Sequence, residues 1–254
     1  MQATRNPFAD QPETYASARP HYPPALFDWL ASSCRRRASA WDCATGNGQA
    51  AFDLAARFEQ VFASDISAEQ IEHARRAPNL HYSIQPAEQT DFPDHRFDLV
   101  VVAQALHWFN PAAFWPEVRR VARPGALFCA WGYDRLHTDA EVEHGLVAPL
   151  LRTLAPFWAP GNRILWDGYQ DRDTAFPFER IATPAFSIEM HWTLQALIDY
   201  MQTWSAYQRS RADTVATAAM DQLFADARQL TPEGATLRVS MPLKMVAGYV
   251  PGRA

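Results

Sequence analysis

The stretch Ala40-Trp-Asp-Cys-Ala-Thr-Gly-Asn-Gly-Gln-Ala-Ala51 constrains this chain more than any other. It reads as the end of a strand, a tight glycine turn and the start of a helix. Gly46 and Gly48 permit backbone angles, and a close approach of a ligand, that a Cβ would block. A helix opening near Gln49 turns its partly positive end toward whatever lies over the turn. Asp42 stands just before the turn, and Asp65 lies at the end of the next expected strand.

The flanking pattern gives the architecture. After a helix from Pro24 to about Ser32, strands are expected over about Ala38–Cys43, Gln60–Ser64, Leu80–Gln85, Phe97–Ala103 and Ala126–Trp131. Helices fall between them, at Gln49 to about Phe58, Ser67 to about Arg76 and Pro111–Val121. Ser67 with Gln70 is a capping box. Phe97–Ala103 is almost continuously apolar and rich in β-branched residues, as a strand buried on both faces must be. Strands alternating with helices make an α/β, doubly wound, mostly parallel sheet. Arg123-Pro124-Gly125 reads as a turn. Beyond Gly132, Thr138 and Glu141 read as a capping box opening a helix to about Leu154, and helices are expected over Thr193–Arg209 and Thr214–Leu230. Thr231-Pro232 reads as a helix start. Strands Phe186–Trp192 and Leu237–Met245 bring the sheet to seven, the last antiparallel at the edge. The expected layout is one domain over residues 1–254. It comprises an N-terminal lid and helix (1–37), a ligand-binding core (38–132), a mainly helical cap and substrate region (133–235) and a final strand (236–254).

Bulk properties narrow the partners. The chain has 254 residues, a net charge of -5 and one lysine, Lys244, among 23 basic residues. An acidic chain without a basic tract beyond Arg35-Arg36-Arg37 is a poor partner for nucleic acid or an anionic membrane. Cys34, Cys43 and Cys129 are scattered and odd in number, so neither a disulfide framework nor a zinc site is indicated. With no apolar leader in view, the expectation is a cytoplasmic protein, monomer or homodimer. His137, Glu141 and His144 are too loosely spaced for a metal site and read as a solvated face.

Two ligands compete for the turn. Gly46-x-Gly48-x-x-Ala51 loosely matches a dinucleotide fingerprint, which makes an NAD-dependent oxidoreductase the alternative. Asp42 argues against it, because a carboxylate beside a pyrophosphate costs on the order of 1 kcal/mol or more. S-adenosyl-L-methionine presents an ammonium and a sulfonium instead, and an acid there attracts it.

The motifs then resemble those of class I S-adenosylmethionine-dependent methyltransferases of the UbiE-like group, most closely relatives of trans-aconitate methyltransferase. They are Tyr15…Arg19-Pro20-x-Tyr22-Pro23, Asp42-x-x-x-Gly46-x-Gly48-Gln49, Asp65, Ala87-Glu88, Gln104-Ala105-x-His107-Trp108-Phe109, Arg123-Pro124-Gly125 and Thr203-Trp204-Ser205. The resemblance implies a Rossmann-like fold and a set of cofactor contacts. Asp42 and the Gly46 backbone hold the methionine moiety, with Ala44 and Gly48 in the same turn. Asp65 accepts the ribose hydroxyls, Ile66 packs on the adenine, and Ala87 and Glu88 meet its edge. Gln104 and Ala105 face the methyl group, and Tyr15 and Arg19 grip the carboxylate. Ala44 departs from the pattern, which has glycine there, and leaves a non-catalytic binding scaffold as a further alternative. His107 is the one histidine near the expected methyl site and is the candidate base. His107, Trp108, Trp131, Trp158 and Trp204 are the candidate substrate contacts. The expected acceptor is a small organic molecule, a carboxylic acid in particular, with Arg152, Arg163, Arg172 and Arg209 as candidate partners of its charge.

Overall fold

The computed structural model describes residues 20–133, 135–232 and 234–252. Tyr15 and Arg19 therefore lie outside the described residues. The elements of the first half run α1 (Pro24–Ser33), β1 (Ser39–Cys43), α2 (Gln49–Ala55), β2 (Gln60–Asp65), α3 (Ala68–Glu72), β3 (Leu80–Ile84), β4 (Phe97–Ala103), a 3₁₀ turn (Leu106–Trp108), α4 (Pro111–Val121) and β5 (Ala122–Tyr133). The second half adds α5 (Ala140–Val142), a π-helical turn (Glu143–Val147), α6 (Ala148–Leu154), α7 (Asn162–Trp166), α8 (Asp171–Thr174), β6 (Ser187–Thr193), α9 (Leu194–Gln202), α10 (Ser205–Ser210), α11 (Thr214–Ala227) and β7 (Thr236–Tyr249).

The sheet has seven strands in the order β3-β2-β1-β4-β5-β7-β6. β1 pairs in parallel with β2 and with β4, and β5 pairs antiparallel with β7. The chain winds outward from β1 to β3, then returns to lay β4 on the other side of β1. This reversal leaves a crevice at the carboxyl ends of β1 and β4, where open α/β sheets bind ligands. Both strands are buried, β1 throughout and β4 except at Ala103, as the apolar run requires. Trp41, Val100, Val102, Phe114, Trp115 and Phe128 share one core cluster. α4 starts where expected because Asn110 caps it, its side chain accepting from the Ala112 N–H, with Pro111 in the first turn.

The chain divides into two compact units. One holds His21–Asp134, Gly161–Ser187 and Pro242–Ala254; the other holds Arg135–Pro160 and Ile188–Met241. The first contains β1 to β5 and the glycine turn. The second is mainly helical, with Trp158 and Trp204 5.8 Å apart between ring centroids.

Several local expectations give way. Arg123-Pro124-Gly125 lies inside β5, where a register shift against β4 and a positive φ at Gly125 absorb the irregularity. α3 ends at Glu72, well before Arg76. Thr138 does not cap a helix: its N–H donates to Glu143 Oε2, and Asp139 occupies the N-cap position of α5. The helix expected over Thr193–Arg209 breaks at Thr203, whose hydroxyl donates to Tyr200 O at 2.6 Å. No helix starts at Thr231-Pro232. β7 is antiparallel as expected, but β6 takes the sheet edge outside it.

Candidate active site

The turn after β1 is the most strained segment near the crevice. Ala44 (φ 55), Gly46 (φ 56) and Gly48 (φ 78) all take left-handed angles. Thr45 N–H donates to Ser64 O at 2.9 Å, tying the turn to β2. Ala44 bears a side chain in a region that costs L-residues about 1–2 kcal/mol. Glycine is the unstrained choice there, so the departure at Ala44 carries an energetic cost. Gln104, at the end of β4, is a second side-chain-bearing residue in the same region (φ 59). Two strained residues thus flank the crevice, the kind of position where strain accompanies function.

Asp42 is wholly buried. Its Oδ2 accepts from Thr45 Oγ1 at 2.5 Å, while Oδ1 has no hydrogen-bond partner among the described residues. Burial pushes its carboxyl up to about 7; the Thr45 hydroxyl and the Ala51 amide pull it back, and Asp65 adds a further push upward. A buried carboxylate with an idle oxygen favours an incoming cation. Asp65 is engaged at both oxygens: Gly46 N–H donates to Oδ2 at 2.8 Å and Ser67 N–H to Oδ1 at 2.9 Å. Each oxygen keeps a second acceptor site, enough for two hydroxyls. Beyond it Ile66 is 76% exposed, an apolar side chain open to solvent. Ala87 is buried, and Glu88 Oε1 accepts from Asn110 N–H at 3.1 Å.

Gly48 needs its missing side chain for a different reason than expected. A Cβ there would overlap the Tyr82 hydroxyl and stand 3.0 Å from Tyr82 Cζ. The space is filled by a phenol from β3 rather than left for a ligand. Gly46, by contrast, meets nothing nearer than Gln70 Oε1 at 3.7 Å, so it alone keeps the opening expected of both.

Gln104 N–H donates to Trp131 O at 2.8 Å, and Trp108 N–H to Ala105 O at 2.9 Å, shaping the 3₁₀ turn. His107 is buried and Trp108 is 51% exposed, their rings 4.5 Å apart. Burial pulls the His107 imidazole down to about 4. At neutral pH the ring is uncharged and a weaker base than an exposed imidazole. Trp131 is fully buried, edge-on to Tyr22 (5.6 Å) and Phe27 (6.2 Å). It fills the core beneath α1, which corrects its expected place as a substrate contact. The four arginines expected to meet an acidic substrate are otherwise occupied or exposed. Arg172 pairs with Asp167 and Asp173, Arg209 donates to Phe157 O, and Arg152 and Arg163 are exposed.

Tyr82 and Thr45 went unnoticed in the sequence. Thr45, three residues past Asp42 in the turn, was legible as its hydroxyl partner; Tyr82 gave no local signal. Among the described residues no three His, Cys, Asp or Glu side chains are placed to hold a metal ion, and no helix is long and apolar enough to cross a membrane. A separate cavity of about 420 Å³, lined by His95, Arg119, Arg120, Ala122, Val250 and Gly252, opens at the start of β5, the far end of the strands from the crevice.

Known proteins decide between the competing readings. Residues 41–130 match the methyltransferase domain family. A Dictyostelium discoideum protein described as a methyltransferase is 32% identical over 206 residues, 79% of this chain and 77% of that one. The chain belongs to the class I S-adenosylmethionine-dependent methyltransferases. A solved Anaeromyxobacter dehalogenans protein, described as a type II methyltransferase, is 39% identical with a TM-score of 0.84, covering 92% of this chain and 99% of that one. A Bacillus halodurans structure described as a methyltransferase shares the fold at 17% identity and a TM-score of 0.53, over 90% of this chain and 100% of that one. The nicotinamide reading falls with this membership, and the fold of the class carries S-adenosylmethionine as its methyl donor.

Proposed function

We propose that this methyltransferase moves a methyl group from S-adenosyl-L-methionine to an oxygen of a small carboxylic acid, and that it sits among the UbiE-like relatives of trans-aconitate methyltransferase. The observation that carries the cofactor half is Asp42 Oδ1, buried and idle beside a turn held open at Gly46. In this reading Asp42 and the Gly46 backbone hold the methionine end. Asp65 takes the ribose, Ile66 covers the adenine with Ala87 and Glu88 at its edge, and Gln104 and Ala105 flank the reacting carbon. Tyr15 and Arg19 close on the carboxylate. When bound, S-adenosylmethionine supplies a methyl whose carbon–sulfur bond breaks as the acceptor oxygen bonds to the carbon, the sulfur keeping the electron pair.

The protein's part is alignment and exclusion of water. His107, uncharged and weakly basic, favours an acceptor that needs no proton removed, and a carboxylate at neutral pH meets that condition. Trp108, half exposed beside it, offers an apolar wall. In this reading Trp158 and Trp204, in the helical unit, are further substrate contacts. In the same reading the protein has no nucleic-acid or membrane partner and acts as a monomer or homodimer. Cys34, Cys43 and Cys129 are free thiols, which suits the cytoplasm.

The test is calorimetric titration with S-adenosylhomocysteine and NAD, followed by a screen of small acids with a methyl-labelled donor. Binding of S-adenosylhomocysteine and label transferred to an acid as an ester support the proposal. Binding of NAD alone refutes the cofactor half, and label found only on nitrogen or carbon refutes the acceptor half.

A further inference from the structure

Near the carboxyl end of β4, the polar atoms buried without partners among the described residues include, besides Asp42 Oδ1 and Trp131 Nε1, Gln104 Nε2, His107 Nδ1 and Asn162 Oδ1. Their elements pack together. The 3₁₀ turn Leu106–Trp108 lies against α7. A Cβ added to Gly161, the residue before Asn162, would stand 3.0 Å from His107 O and 3.1 Å from Trp108 Cζ3. Leu165 and Gln104 converge on Gly132, where an added Cβ would meet Leu165 Cδ1 at 2.6 Å and Gln104 Oε1 at 2.7 Å. Asn162, three residues before Leu165, shares its helix face. The Gln104 amide oxygen is thus turned to Gly132 and its NH₂ is left over.

An unmet buried polar group costs about 1–3 kcal/mol. Three of them in one small neighbourhood form a set that a bound molecule completes. All three side chains are uncharged at neutral pH. Gln104 offers N–H donors, His107 offers one in its Nδ1–H tautomer, and Asn162 offers an acceptor.

We propose that Gln104, His107 and Asn162 form the acceptor-recognition subsite, and that it takes a short carboxylate bearing a hydroxyl group on the adjacent carbon. This rests on the methyl-transfer reading above. Gln104 Nε2–H and His107 Nδ1–H donate to one carboxylate oxygen and leave the other oxygen's lone pair free to attack. Asn162 Oδ1 accepts from the adjacent hydroxyl. Neutral donors hold the acid without calling on an arginine, so the occupied or exposed state of Arg152, Arg163, Arg172 and Arg209 does not count against an acidic acceptor. Asn162 sets specificity, and Gln104 and His107 position the oxygen.

The experiment uses the full chain, a methyl-labelled donor and matched pairs of acids, from lactate and propionate up to 2-hydroxyoctanoate and octanoate. The hydroxy acid is expected to exceed its partner at least about tenfold in kcat/KM at the best chain length, since a site built to bond a hydroxyl rejects the analogue lacking it. Asn162→Leu brings that ratio close to unity while S-adenosylhomocysteine affinity and the melting temperature hold. Gln104→Met lowers turnover of both acids alike and leaves the ratio unchanged. Equal use of both acids by the unaltered enzyme, or a ratio that survives Asn162→Leu, overturns the inference. If no acid in the series is methylated while S-adenosylhomocysteine binds, the subsite assignment is overturned and the cofactor reading stands. If S-adenosylhomocysteine does not bind, the cofactor reading itself fails.

Discussion

Replacing Gly48 with alanine tests whether the turn is shaped by its own packing or by a ligand. The residue has φ 78, and an added methyl runs into the Tyr82 ring, 3.0 Å from Cζ and 3.2 Å from Cε1. Tyr82 has little freedom to yield, because its hydroxyl donates to Arg75 O at 2.6 Å and the Arg76 guanidinium lies 4.8 Å from the ring centre. The left-handed backbone costs about 1–2 kcal/mol, the displaced hydrogen bond about 1 kcal/mol, and the crowding about 1 kcal/mol. Alanine returns about 0.4–1 kcal/mol by narrowing the unfolded ensemble. The net loss is about 3 kcal/mol, or a melting temperature lower by about 8 °C for a chain of this size. In the Tyr82→Ala background only the backbone cost remains, so the same change costs about 1 kcal/mol, and the cycle yields a coupling of about 2 kcal/mol. Melting of the four proteins with and without S-adenosylhomocysteine reads this directly. An equal cost of Gly48→Ala in both backgrounds, or intact stability with lost ligand binding, refutes the packing argument and restores the ligand as the reason for the glycine.

Four further outcomes follow from the buried groups. Asp42 in the folded chain titrates near 7, above its ordinary 3.8; the folded state therefore holds an extra proton across that interval, and stability falls as pH rises from about 4 to about 7 and then levels off. Denaturant titrations should show that fall vanish in Asp42→Asn. The ionised form is the one that receives a cation, so S-adenosylhomocysteine should bind about eightfold tighter at pH 7.5 than at pH 6, and calorimetry showing no such change in the parent protein rejects the assignment. His107, held near 4 by burial, should give no inflection between pH 5.5 and 8 in kcat at saturating donor; an inflection near 6.5 that disappears in His107→Ala would reinstate it as the base. Asp98 is buried, accepts the Ala38 and Ser39 N–H groups at 3.0 Å each, and pairs with Arg123 at 2.6 Å. Asp98→Ala should cost about 3–5 kcal/mol in urea denaturation, with ligand affinity of the folded protein unchanged because the pair lies at the far end of β4 from the crevice.

What could be read from the sequence was what is written locally. β4 and α4 have the bounds their apolar run and proline-led start dictate, because burial on both faces and an asparagine cap are decided by neighbours in the chain. Asp42, the glycine turn and Asp65 were legible for the same reason, all lying at the ends of adjacent strands within one βαβ unit. Local chemistry misled where a distant residue outbid it. Glu143 took the Thr138 N–H that the capping pattern had given to a helix start, and the exchange of backbone hydrogen bonds between Gly125–Ala126 and Val250 kept Arg123-Pro124-Gly125 in a strand despite its turn-forming residues. The space beside Gly48 is decided by Tyr82, thirty-four residues on, and the polar set under Gln104 is completed by Asn162, in a stretch with no period to read. In the proposed reading, the methionine and ribose contacts at Asp42, Gly46 and Asp65 lie within one βαβ unit, whereas the acceptor subsite draws on segments far apart in the chain. On that proposal a single substitution at Asn162 alters which acid is methylated without disturbing the glycine turn, and the matched-acid ratio measured against donor affinity is where that separation succeeds or fails.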